Sequence, residues 1–165
     1  MSGSLLLAVL IVGVCVAATR PPPRQLLAAA AAGLVFAVAN VLCDIWAGRV
    51  GLWWYPQWRD RGYATPWWYL AAGLGIAGLS LVAWRIQRRF GVRGVVLFVV
   101  LFAGYGLLRD RVVSATVARD VLRFGPGATP WLVDWAAWLT LTTLALLIRS
   151  LVGGRTGRVD RASHR

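Results

Sequence analysis

Asp44 is the residue whose type and position most invite chemistry. It ends the run Asn40-Val-Leu-Cys-Asp44, at the close of an apolar stretch, where a helix dipole disfavours negative charge. An ionisable group at the rim of an apolar environment is rare and by default a functional suspect. It must meet a cation, for which Arg49, Arg109 and Arg111 are candidates, or carry a proton. Protonated, it is placed to act as a general acid; ion-paired, it is structural, and the residue types leave both open. Asn40 lies four residues earlier and so shares the helix face of Asp44. Asp134 is the second carboxylate of interest, in the first turns of a later apolar run, where the dipole favours an anion.

Aromatic residues crowd around these acids. Trp46, Trp53, Trp54, Tyr55, Trp58, Trp67 and Trp68 fall between two apolar runs, and Trp131, Trp135 and Trp138 open the last one. Trp53, Trp54, Tyr55, Trp68 and Trp138, with Asn40, Arg49, Tyr105, Arg109 and Asp134, are the candidates for holding a ligand. Indole faces suit a pocket for a lipid, a polyisoprenoid or a sugar headgroup, and they stabilise a carbocation by cation–π attraction. A loop that lies on a membrane, anchored by its tryptophans, accounts for the same residues. The sole histidine, His164, lies in a polar tail, which removes histidine-based metal and triad chemistry. No metal site and no cofactor are expected.

The elements that must position these residues are predicted from hydropathy. The apolar fraction is 59% and the mean hydropathy +0.65, against an apolar usage of about 45–50% in soluble domains. The excess is laid out in runs near the roughly 20 residues that cross a bilayer. The fold class is all-α: an integral membrane helical bundle of about five transmembrane helices, at 4–18, 26–43, 67–84, 94–108 and 131–152. A short interfacial helix is expected over 112–124, where Ser114, Thr116, Arg119, Asp120 and Arg123 interrupt the apolar pattern. Residues 1–152 form one transmembrane domain, and 153–165 a basic, disordered cytoplasmic tail.

Punctuation supports these limits. Met1-Ser2-Gly3-Ser4 lacks the basic start of a signal peptide, so the first run is expected to stay as a helix. Pro21, Pro22 and Pro23 end it. Gly48 is a plausible cap for the second helix, while Thr129 and Pro130 suit the start of the last. A basic turn is expected over 85–93. Gly73-Leu-Gly75-Ile-Ala-Gly78 matches a dinucleotide-binding fingerprint literally, but without a preceding strand it reads as small residues allowing close helix packing. Cys15 and Cys43 fall near opposite faces and are expected to be free thiols.

The net charge of +12 comes from arginines alone among the basic residues, against six aspartates and no glutamate. Because the arginines punctuate apolar runs, they suit lipid headgroups rather than nucleic acid. Alternate connections carry seven and eleven of them. The positive-inside rule then sets the N-terminus outside and the C-terminus in the cytoplasm of a multi-pass plasma-membrane protein. On that topology nine of the ten tryptophans share the extracytoplasmic face, and Trp84 alone lies at the other.

Asp44, Gly51, Trp53 and Tyr55, spaced D-x6-G-x-W-x-Y at the end of an apolar helix, with Pro66 opening the next, resemble the carotenoid lycopene cyclase domain of small multi-pass membrane proteins. The resemblance spans Asp44 to Tyr69 and implies a related helical scaffold and acid-catalysed chemistry on a polyene. In that family the proline begins a P-x-E-E-type motif whose glutamates are thought to supply the acid. Here Trp67, Trp68 and Tyr69 follow Pro66, and glutamate is absent from the chain.

Two functions follow as expectations. The first is binding at the extracytoplasmic face, of an amphiphilic or isoprenoid ligand, or of a membrane protein partner or a second copy of the chain. The alternative is a lipid- or carotenoid-modifying enzyme with Asp44 as the acid. A transporter or channel fits less well, since the spans carry no charge near their centres.

Overall fold

The computed structural model describes residues 2–58, 63–116 and 121–154, and these are predominantly helical. Helix α1 spans Ser2–Thr19, α2 Pro23–Arg49, α3 Pro66–Ala115 and α4 Thr129–Gly153. Two short strands, β1 (Trp53–Trp54) and β2 (Arg123–Phe124), lie in the connections, and a single 3₁₀ turn covers Pro56–Trp58. The expected tail lies almost wholly outside the described residues.

Proline sets three of the helix starts. Each of α2, α3 and α4 has a proline in its first turn, where the missing N–H is one the helix could not have used. Thr129 is the first residue of α4 rather than its cap, which is Ala128. Likewise α2 runs past Gly48 to Arg49, and the left-handed residue that turns the chain is Gly51, at φ 74°.

Four helices replace the anticipated five among the described residues, because the third and fourth expected spans form one element. The expected basic turn remains helical through Arg85, Arg88 and Arg89 and leaves helical geometry only at Gly91, at φ 66° and ψ −156°. That conformation is essentially reserved for glycine. The helix reverses there: the Arg109 guanidinium lies 5.2 Å from the Trp68 ring centroid, whereas a straight helix would set these residues about 60 Å apart. Three helices, α2, α3 and α4, are long and apolar enough to cross a membrane, and α1 falls short of that length.

Small residues let the helices touch. A side chain at Gly73 would come within 2.8 Å of the Gly33 carbonyl oxygen, so α2 and α3 meet backbone to backbone. Gly78 similarly abuts Val12 of α1, Gly75 faces open space, and Gly106 receives the Trp138 indole of α4. Phe36, Ala32, Ile76 and Ala145 form the mid-bundle core. The outside is apolar: Leu10, Leu27, Leu34, Leu97, Leu101 and Leu147 are all more than half exposed, the inverse of a water-facing surface.

Of the predicted interfacial helix over 112–124, residues 117–120 lie outside the described residues, and those on either side do not join into one helix. Residues 112–115 belong to the last turn of α3, and Arg123–Phe124 pair antiparallel with Trp53–Trp54, Phe124 opposite Trp53. Gly125 extends the contact by donating its N–H to the Leu52 carbonyl at 2.8 Å. The physical reason is Phe124, whose ring stacks on Trp131 at 3.9 Å and tilts against Trp53 at 5.9 Å. An extended backbone reaches both, and the strand pairing satisfies backbone groups that a loop would leave open.

Candidate functional site

Asp44 is 4% exposed and meets no arginine among the described residues. Trp53 donates its indole N–H to Oδ1 at 3.0 Å, and the hydroxyls of Tyr55 and Tyr69 each donate to Oδ2 at 2.7 Å. Tyr69 also accepts the Ala64 N–H at 2.9 Å. The carboxylate thus clasps three chain segments: the end of α2, the β1 strand with the residue after it, and the first turn of α3. Local sequence explains each donor. Trp53 and Tyr55 alternate along an extended segment, so both side chains face the same way, and Tyr69 lies one turn into the helix opened by Pro66. In the Tyr55 phenol, burial first, and the charge of Asp44 second, push the pKa well above the usual phenol range.

A second acid completes the arrangement. Asp110, 4% exposed, accepts from Arg109 at 2.9 and 2.5 Å on one oxygen and from the Trp138 indole at 2.8 Å on the other. The Arg109 guanidinium lies over two indoles, 5.2 Å from Trp68 and 5.3 Å from Trp138. Asp134, 6% exposed, has one carboxylate oxygen buried without a hydrogen-bond partner.

A cavity of about 30 Å³ lies between these groups, room for about one water molecule. Eight of the sequence-predicted site residues line it: Asn40, Asp44, Trp53, Tyr55, Trp68, Arg109, Asp134 and Trp138. The other three are elsewhere. Arg49 is exposed at the end of α2, and Trp54 is half-buried on the opposite side of β1 from Trp53. Tyr105 is 59% exposed on the outer face of α3, stacked on Phe102.

The sequence reading missed Asp110 and the role of Tyr69. Asp110 is masked by the flanking Arg109 and Arg111, which make it look like part of a solvated turn. One signal was available: Arg109-Asp110 sits at the same predicted membrane face as Asp44 and Trp138. Cys43 also lines the cavity, and both it and Cys15 are free. Among the described residues no group of acids, cysteines or histidines could hold a metal ion.

The fold and site together define a helical chain with three potential membrane-crossing helices and one end closed by a buried acid–aromatic cluster. No protein-family model, curated protein or solved structure matches it.

Proposed function

We propose that this chain is a non-catalytic multi-pass membrane protein that holds an amphiphile at its tryptophan-rich end. In this reading that end faces away from the cytoplasm, and the shorter α1 also crosses, so that the N-terminus lies outside and the C-terminal tail inside the plasma membrane. The observation that carries it is the Trp68–Arg109–Trp138 stack. Arg109 keeps about a third of its side chain exposed while two indoles flank it. Arg109 is already ion-paired with Asp110, so its remaining N–H donors, backed by flat apolar rings, suit a strongly polar headgroup at the membrane interface. The exposed faces of Trp46, Trp67 and Trp135 nearby suit the start of a hydrocarbon chain.

The small cavity bears on how the ligand sits. A space for one water holds no isoprenoid, so the chain of the ligand lies against the outer helix faces and only the headgroup approaches Arg109. The enzymatic alternative, acid catalysis by Asp44, draws less support, because three donors already occupy both of its oxygens.

Mass spectrometry of lipids co-purifying in mild detergent tests the proposal. A specific amphiphile retained by the native chain and lost from Trp68→Leu and Arg109→Gln supports it. A stoichiometric protein in its place, or retention unchanged in both variants, refutes it. Orientation is checked with membrane-impermeant thiol reagents on intact cells, which should label Trp58→Cys and spare Arg88→Cys.

A further inference from the structure

At the end of the bundle away from most of the tryptophans, α4 carries a guanidinium that meets no acid among the described residues. Arg149 is 5% exposed. It donates to Gln25 Oε1 at 3.3 Å and to Gln87 Oε1 at 2.6 Å, while its Nε–H is buried without a partner. Gln25 is itself pinned, its amide donating to the Gly153 carbonyl at 3.2 Å. The glutamines are neutral, so they orient the guanidinium without cancelling its charge. The buried carboxylates among the described residues, Asp44, Asp110 and Asp134, all line the cavity at the other end.

More positive charge lies at the same end of the bundle. Arg24 reaches the Val152 carbonyl and Arg85 the Thr19 carbonyl. A long basic side chain near a helix end normally extends its head towards water. This one is held inward, and a buried charge without a counter-ion is costly unless something neutralises it.

Arg149 also lines a slot of about 220 Å³ between the second half of α3 and α4. Val92, Val95 and Val99 form one wall and Leu146 and Leu147 the other, with Ser150 at the guanidinium end. The slot is therefore cationic and rich in donors at its head and apolar along its length. A lone phosphate ion would leave those walls unused, and a neutral lipid would leave the charge unmet.

We propose that this slot takes an anionic phospholipid, with one acyl chain along Val95, Val99 and Leu147 and its phosphate diester on Arg149. The inference shares membrane insertion with the reading above and is independent of what occupies the tryptophan-rich end.

The test uses the full chain in mild detergent and native mass spectrometry, titrating phosphatidylglycerol, phosphatidylcholine of identical chains, and inorganic phosphate. Phosphatidylcholine carries the same phosphate diester, so the discrimination comes from its choline cation, which cancels the net charge and is repelled by the arginines at this end. Net charge predicts about a fivefold preference for phosphatidylglycerol, with inorganic phosphate not retained. R149Q should bring the two lipids to parity, while R88Q, at an exposed arginine, keeps the preference. V99W, which fills the slot and leaves Arg149 in place, should weaken both lipids even if R149Q fails to fold. Parity in the native chain, a preference surviving R149Q, unchanged retention in V99W, or phosphate binding as tightly as the lipid would each overturn the inference. Parity alongside an amphiphile held at Arg109 would sink this inference and spare the earlier one, whereas a water-soluble chain would sink both.

Discussion

The two ends of the bundle treat buried charge in opposite ways. At the tryptophan-rich end, among the described residues, only Asp110 of three buried acids pairs with an arginine, and neutral indole and phenol donors converge on Asp44 and Asp110. At the other end a buried arginine meets neutral amide oxygens and has an N–H to spare. The first arrangement is closed, its cavity reduced to about 30 Å³, and the second opens into a slot of about 220 Å³. Aromatic density alone therefore does not mark a ligand pocket. Indoles and phenols are donors as well as flat apolar bodies, and here Trp53, Tyr55 and Tyr69 spend that capacity on sealing the fold.

Removing the acid at the centre of the closed end should do the most damage. Asp44→Ala strands three buried donors, and a loss of about 3 kcal/mol or more is expected from about 1 kcal/mol or more per stranded group. Thermal unfolding in detergent, followed by size-exclusion chromatography, measures it. A loss below about 1 kcal/mol would mean that the clasp contributes little and would weaken the contrast between the ends.

Gly33→Val comes next, since α2 and α3 meet there without side chains. Overpacking of this kind costs about 1–3 kcal/mol, and it should leave the hydrogen bonds at both ends intact. Gly91→Ala places a Cβ at φ 66° and should cost about 1–3 kcal/mol by backbone strain. Cross-linking of cysteines placed at 68 and 109 by a bifunctional thiol reagent, whose spacer covers the reach of the two native side chains, reports whether the reversal of α3 survives it.

Tyr55→Phe removes one of the three donors to Asp44 and should cost about 1.5 kcal/mol, the value for a hydrogen bond to a charged group. The same phenol sharpens the comparison by pH. Its pKa is raised in the folded chain, so its contribution is fully present below the ordinary phenol value of about 10 and is lost only as pH rises through the higher folded value. Ultraviolet difference titration of the native chain against Tyr55→Phe should show no Tyr55 ionisation at pH 10. The smallest effect is expected at the basic end, where Arg88 lies 5.4 Å over the Trp84 ring. Arg88→Gln should cost about 0.5–1 kcal/mol, typical of an exposed cation–π contact.

Much of this molecule is legible in the chain as written, because hydropathy and helix punctuation act over a few neighbouring residues. The long apolar runs, the proline-led starts of α3 and α4, and the gathering of acids and tryptophans in the same few connections are all of that kind. So is the suspicion that fell on Asp44, an acid where neither the helix dipole nor its neighbours favour one. Only the tertiary structure decided what Asp44 touches. Its partners stand 9, 11 and 25 residues away, and Arg49, nearer in sequence, lost to phenols and an indole. The pairing of Arg123–Phe124 with Trp53–Trp54, the reversal at Gly91 and the guanidinium of Arg149 held between Gln25 and Gln87 are decided in the same way. Each depends on which groups meet once helices pack, and pairing between distant segments leaves no periodic trace in a single sequence.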